Sequence, residues 1–341
     1  MTGPLSSLGW DEQFASEFLP YLTTHTPARV TRVDRGAADL VAEAGELRAD
    51  ITHRAPDVTV GDWAAVADGE IAAVLPRRTA IVRADASGRS AGQALVANID
   101  HVLIAVPAVP SPRPGMVERL IALAWESGAT PVVVLTKIDL SHDPYAVVDD
   151  LTASAPGCAV LAVSAVTDEG MDKLRCLDRP GGSLCLIGRS GAGKSTLANA
   201  LLGIEEMAVT EVRIDGKGRH TTTHRQLLAL PGGGVLIDTP GLRGVGMWTS
   251  DEGIDQTFPE IGELADRCRF SDCAHVSEPG CEVLAAVEDG RLPQRRLDSW
   301  RKLGREAEWI ASRNDARLRK ERQRAWRLLS AEVRRSGRIR P

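Results

Sequence analysis

Residues 184–196 read LCLIGRSGAGKST, and the rest of the chain is arranged around them. The apolar run Leu184, Cys185, Leu186, Ile187 predicts a buried strand, and LANALLG at 197–203 predicts a helix. Between them stand Gly188, four residues, then Gly193, Lys194 and Ser195: the pattern G-x-x-x-x-G-K-S between strand and helix. Glycines let the backbone curl so that successive N–H groups converge on phosphate oxygens, and the helix adds the positive end of its dipole. The candidate phosphate contacts are Gly188, Arg189, Ser190, Gly191, Ala192, Gly193, Lys194, Ser195 and Thr196. Lys194 is placed to reach the β- and γ-phosphates, and the Ser195 hydroxyl to bind Mg²⁺.

Four more apolar runs accompany this one: HVLIAVPAV at 101–109, TPVVVLTKIDL at 130–140, CAVLAVSAV at 158–166 and GVLIDTPG at 234–241. Helix-like segments, Gly115 to Ser127 and Asp143 to Ser154, fill two of the gaps. Buried strands alternating with helices predict an open α/β sheet covered on both faces, with ligand loops at the carboxyl ends of its strands. The polar motifs fall at those ends. Thr136-Lys137-Ile138-Asp139 resembles the N-K-x-D element of GTPases, with Thr in place of Asn. Its Asp can accept from the guanine N1–H and exocyclic amine, a donor pair adenine lacks, and the Lys stem can lie over the base. Ser164-Ala165 resembles the short element that meets the guanine carbonyl. Asp238 to Gly241 resembles D-x-x-G, with Asp238 holding Mg²⁺ through water and Gly241 sensing the γ-phosphate. Between phosphate loop and D-x-x-G lies GKGRHTTTHR at 216–225, where Thr222 or Thr223 is the candidate switch threonine. The residue after Gly241 is Leu242, which cannot polarise water, so His220 is the candidate for orienting the attacking water.

The order of these elements is inverted. Ordinary GTPases run phosphate loop, switch threonine, D-x-x-G, N-K-x-D, S-A; here T-K-x-D and S-A precede the phosphate loop. The domain reads as a circular permutation, which a sheet tolerates because its site depends on which strands are neighbours. After Gly241 the chain runs through LRGVGMW directly into the C-terminal region, so the switch and that region are covalently continuous. A clamp triggered at Lys194 and Ser195 is the expectation.

The 341 residues carry a net charge of −5 that is unevenly spread. From Arg291 onward there are 17 Lys and Arg against 6 Asp and Glu, while the preceding 290 residues hold 24 against 40. A basic tail on an acidic body points to a polyanion such as RNA. No apolar run approaches the ~20 residues of a membrane span, and the first twenty residues do not read as a signal peptide. A soluble, cytoplasmic monomer with no membrane partner is expected.

Residues 1–26 form an extension with a helical pattern through Trp10, Phe14, Phe18, Leu19 and Tyr21, and no evident chemistry. Residues 27–83 are short, turn-rich strands that predict an OB-type β-barrel. Trp63 is the barrel segment's one aromatic able to stack a base. Arg77 to Asn98 reads as a polar connector, and residues 84–247 as the permuted GTPase domain. In the last segment, 248–341, Cys268-x4-Cys273-x-His275-x5-Cys281 offers three thiolates and an imidazole. That set suits one closed, structural Zn²⁺ site. Asp272, Glu278 and Glu282 are read as neighbours of the site and not ligands. From Leu292 one or two basic helices are predicted, with Trp300, Trp309, Trp326, Leu297, Ile310 and Leu318 docking on the metal segment and arginines outward.

With the permuted order, the GRHTTT switch, DTPG followed by Leu, and the C-x4-C-x-H-x5-C cluster ending EPGC, the chain closely resembles the ribosome small-subunit-dependent GTPase A family. The resemblance covers nearly the whole chain and implies three parts: OB-fold barrel, permuted GTPase domain, α-rich zinc domain. It implies a GTPase that binds the small ribosomal subunit and its rRNA, is stimulated by that subunit, and acts late in the subunit's maturation, hydrolysis accompanying release. The family's functional residues fall on Thr136, Lys137 and Asp139, on Gly188 to Thr196, and on Cys268, Cys273, His275 and Cys281. Thr136 in place of the more usual Asn implies a weaker brace of the guanine site. Two other classes fit the residues: a permuted GTPase acting on the large subunit or another RNA, and a nucleotide-gated RNA-binding module whose hydrolysis is incidental.

Overall fold

The computed structural model describes residues 3–53, 55, 57–83, 92–203, 225–238 and 251–314. His220, Thr222, Thr223, Gly241, Trp326, Leu318 and the basic end of the tail lie outside them. Strands β1 (Thr26–Val33), β2 (Ala37–Ala42), β3 (Gly45–Ile51), β4 (Trp63–Ala67) and β5 (Glu70–Val74) run in the order β1-β2-β3-β5-β4, and β4 pairs back on β1. That closure makes a five-stranded OB-type barrel around Val30, Leu40, Ala64 and Ile71. The expected connector is not unstructured: β6 (Ala80–Arg83) and β7 (Gln93–Ala97) pair as an antiparallel hairpin across the expected 83/84 boundary.

The next strands are β8 (His101–Pro107), β9 (Thr130–Thr136), β10 (Ala159–Ala162), β11 (Ser183–Gly188), β12 (Gln226–Ala229) and β13 (Val235–Asp238). Their order is β10-β9-β8-β11-β13-β12, parallel except for β12. Residues 102–106 of β8 and 184–187 of β11 are buried throughout, as strands covered on both faces require. The five apolar runs are five of these strands. The four-residue β12 was not foreseen, and it joins the two sheets: Arg32 of β1 pairs antiparallel with Gln226 of β12.

Short helices α1 (Pro4–Ser7) and α2 (Glu12–Phe18) pack the N-terminal extension onto the seam between barrel and sheet. Asp11 caps α2 by accepting from the N–H groups of Gln13 and Phe14 at 3.1 Å. Trp10, Phe14 and Trp63 meet ring to ring, with Trp63 centroids 4.8 and 5.7 Å from the other two. Trp63 is fully buried there, so the expectation that it could stack an RNA base is overturned. Its flat area is used in the core, where an aromatic pair contributes beyond its burial. Arg29 of β1, also buried, lies over Trp63 and donates to Leu8 O, to Asn98 O at 2.9 Å and to the Ser183 hydroxyl at 2.9 Å. Burial pushes this guanidinium down to about 10.

Around the sheet lie α3 (Pro114–Glu126), α4 (Pro144–Ser154), α5 (Met171–Arg175) and α6 (Lys194–Leu202). Proline opens α3 and α4 at the first helical position, and Asp143 caps α4 through Ala146 N. The C-terminal region is helical: α7 (Asp251–Thr257), α8 (Pro259–Ala265), α9 (Glu282–Glu288) and α10 (Gln294–Asn314). It docks on α3. Ala122 of α3 belongs to the same apolar cluster as Phe258, Ile261 and Leu297. Gly253 of α7 lies so close that a Cβ there would sit 2.6 Å from Ala122 O. Beside this contact, buried Arg296 donates to Glu118 (2.9 Å), Glu260 (2.7 Å), Ser154 O and Thr257 O (both 3.0 Å). The region is therefore held to the sheet's helices by packing and by a buried ion pair.

Candidate nucleotide site and metal centre

The nucleotide site follows from where strands end. The phosphate loop leaves β11 at Gly188, whose φ is +143°. A Cβ on that residue would come 2.4 Å from Ala105 O on the neighbouring β8, so only glycine fits the close approach. Gly191 and Gly193 also hold positive φ, +80° and +84°. Gly193, and no capping side chain, opens α6. Lys194 is the first residue of that helix and folds back over the loop, its Nζ donating to Gly188 O and Arg189 O at 2.9 Å each. Ser195 and Thr196 come next in the first turn, while Ala192 is buried beneath the loop. Arg189 is exposed and Ser190 half-buried.

The T-K-x-D segment leaves β9 directly beside this loop. Thr136 is buried, and its hydroxyl lies 2.7 Å from Ala192 O of the phosphate loop and 3.3 Å from Val106 O of β8. A brace is present: the Thr side chain ties the two loops, because the backbones approach closely enough for one hydroxyl to span them. Lys137 takes the left-handed conformation, φ +59°, which turns Asp139 toward the same space. The Lys137 stem passes over Gly193, where an added Cβ would lie 3.6 Å from Lys137 Cε. Ile138 is buried and its N–H points at Val163 O at 3.5 Å, linking this segment to the S-A one. Ser164 is buried, its N–H donating to Glu169 O and its hydroxyl accepting from Thr167 N.

These segments enclose a cavity of about 250 Å³ lined by Thr136, Lys137, Asp139, Leu140, Val163, Ala165, Val166, Gly193, Thr196 and Leu197. One carboxylate, one ammonium stem and two threonines in a largely apolar slot suit a flat, hydrogen-bonding base. Sequence reading missed Leu140, Val163, Val166 and Leu197. The signal was present: Leu140 and Val166 each come directly after a recognised motif, and both are exposed apolar side chains at the rim of the slot, 62% and 78% accessible. Asp238 closes β13, buried, in register with Leu186 two residues before Gly188.

The metal group lies in the C-terminal region. Ligand atoms of Cys268, Cys273, His275 and Cys281 all fall within 4.8 Å of one another. Nδ1 of His275 is 3.6 Å from Cys268 Sγ and 3.4 Å from Cys281 Sγ, and the two sulfurs are 3.9 Å apart. A tetrahedral ion with metal–sulfur bonds of about 2.3 Å needs sulfurs roughly 3.8 Å apart, so the donor set and its spacing fit. His275 takes φ +55°, packs its ring 5.7 Å from that of Trp300, and its carbonyl accepts from Arg301. Glu278 is no ligand. Its carboxylate accepts from the N–H groups of Ala274, Val276 and Ser277, and these bonds pull its pKa down to about 2. Trp300, Leu297 and Ile310 dock inward as expected, whereas Trp309 stays 48% exposed and does not. It falls on the outer face of α10, with Lys302 and Arg305.

Known proteins share this architecture. Residues 74–248 match the RsgA GTPase family. A protein of Streptomyces coelicolor named small ribosomal subunit biogenesis GTPase RsgA is 54% identical over 323 residues, covering 91% of this chain and 88% of its own. The crystal structure of YjeQ from Thermotoga maritima superposes with a TM-score of 0.62 at 26% identity, covering 83% of this chain and 98% of that one. The structure of YloQ, described as a circularly permuted GTPase, superposes at 0.59 over 84% of this chain and 96% of its own, with 22% identity.

Proposed function

The chain belongs to the RsgA GTPase family, and on that footing we propose that it binds the small ribosomal subunit and hydrolyses GTP late in the subunit's maturation, leaving on hydrolysis. One observation carries the GTP reading: T-K-x-D, S-A and the phosphate loop, far apart and inverted in sequence, converge on a single slot. In it Asp139 accepts from the guanine N1–H and amine, and the Lys137 stem covers the base. Residues Thr136 and Ile138 fix those two, and Ser164 and Ala165 close the far side. Gly188 to Thr196 hold the phosphates, the ammonium of Lys194 sitting where charge develops on the γ-phosphate.

A Mg²⁺ ion arriving with GTP would neutralise phosphate charge, and Ser195, Asp238 and one of Thr222 or Thr223 are the residues to hold it. The buried carboxylate of Asp238 at the strand end beside the loop fits that need. Gly241 would sense the γ-phosphate, and His220 is proposed to orient the water. The Cys₃His group is proposed to hold one structural Zn²⁺. With four protein ligands it leaves no open position for chemistry, and its contribution is to pin a loop-rich segment. Partners follow from the family: GTP and GDP, the small subunit and its rRNA, met by a monomer in the cytoplasm. Among the described residues no helix is long and apolar enough to cross a membrane.

The test is GTP hydrolysis by the purified chain alone, with small subunits and with large subunits. Strong stimulation by small subunits only is expected. Equal turnover in all three would sink the proposal.

A further inference from the structure

We propose that the loop between Cys268 and Cys273 is a stacking finger, in which Phe270, backed by Arg269, takes an unpaired base of the small-subunit RNA; this rests on the small subunit being the partner. Four residues, Arg269-Phe270-Ser271-Asp272, separate the first two thiolates. The metal group is complete without them. The other large apolar side chains just upstream, Phe258 and Ile261, are buried at 1%, yet Phe270 is 42% exposed.

The ring is not loose. Arg269 lies over it with Cζ 5.4 Å from the centroid. Arg269 N donates to Gly280 O at 3.0 Å, and Cys273 N to Phe270 O at 3.3 Å. Gly280 packs so tightly on the finger that a Cβ there would come 3.0 Å from Arg269 Cβ. The second metal loop is held as firmly, by the Glu278 carboxylate, and offers Val276 at 67% exposure. A flat apolar ring on a backbone fixed at both ends loses little freedom on binding. Exposed Arg269 lies against it, supplying charge to a phosphate beside a stacked base. A protein pocket would use the ring but gain nothing from an exposed guanidinium laid against it, so RNA is the better occupant.

The experiment places p-benzoylphenylalanine at Phe270 of the full chain, bound to purified small subunits with a non-hydrolysable GTP analogue. Irradiation is expected to yield an adduct to rRNA. An adduct to ribosomal protein alone, or none, overturns the finger. In parallel, Phe270→Ala should bind small subunits about tenfold more weakly, as loss of one stacked base predicts, and Phe270→Trp should bind as tightly as the original. Metal content and thermal unfolding should be unchanged. Equal binding by Phe270→Ala overturns the finger alone, and loss of metal together with binding would make Phe270 a structural residue and overturn it too. Failure of the original chain to bind small subunits overturns both this inference and the function it rests on.

Discussion

At the scale of the residue, Thr136 shows how much can depend on one proton. A hydroxyl has a single hydrogen to donate, and of its two carbonyl neighbours Ala192 O is the nearer, 2.7 Å against 3.3 Å. That bond joins the base-reading segment to the phosphate-reading loop. Thr136→Val keeps the shape and removes the proton, leaving a buried carbonyl unpaired at a cost of about 1–3 kcal/mol. GDP binding, followed with a fluorescent analogue, should weaken by roughly tenfold, and Thr136→Ser should recover most of it. Wild-type affinity in the Val variant would show that the brace does nothing. The sequence identified Thr136 as a site residue but not the carbonyls it reaches, since a side chain's length was visible and the distance it must span was not.

Elements tell a similar story. The nucleotide strands were legible because buried parallel strands are long and uniformly apolar, and the metal cluster because four ligands fall within fourteen residues. By contrast β12 is four residues long, half-buried and preceded by polar sequence, so periodicity had nothing to act on. Trp63 misled because an isolated Trp looks the same whether it faces solvent or the N-terminal helices. Those helices are themselves held by charge. Arg78 pairs both guanidinium ends with Asp11 and covers Phe14, and its hydrogen bonds hold the Asp11 carboxyl below its ordinary 3.8. A carboxyl lowered on folding stabilises α2 above the ordinary value and loses that contribution as pH falls through the lowered one. Protection of amides 12–18, taken relative to their intrinsic exchange, should therefore fall below pH 3.8, and Asp11→Asn should show reduced protection already at neutral pH. An acid-insensitive helix in the original chain would contradict this. The metal element makes its own prediction: Cys273→Ser should purify with well under one zinc per chain and lose order in residues 268–281, while GDP binding changes by less than about twofold. Retention of stoichiometric zinc would remove Cys273 from the ligand set.

At the scale of the whole molecule, Arg296 and Glu118 decide whether the C-terminal region can swing freely. Both are essentially inaccessible to water, and Arg296 also packs over Phe258 at 4.2 Å. Removing one partner of such a pair strands the other, a loss of about 3–5 kcal/mol. Arg296→Met should lower stability by about 3 kcal/mol, the low end, because Arg295 also reaches Glu118 at 2.9 Å. Adding Glu118→Gln should restore part of it in thermal unfolding, and additive losses in the double variant would show that the two side chains are not coupled. Nothing in the sequence hinted at this joint. Glu118 sits inside a helical pattern where a carboxylate normally faces solvent, and its partner lies 178 positions away.

The single pairing of Arg32 with Gln226 also has a history in time. During synthesis β1 emerges about 190 residues before β12, which at ~5–20 residues per second is roughly ten to forty seconds. Throughout that interval the far end of β1, beyond its pairing with β4 at residues 26–29, is open to another chain. Pairing with β12 retires the hazard, so a chain stalled before residue 226 should be the aggregation-prone form of this protein.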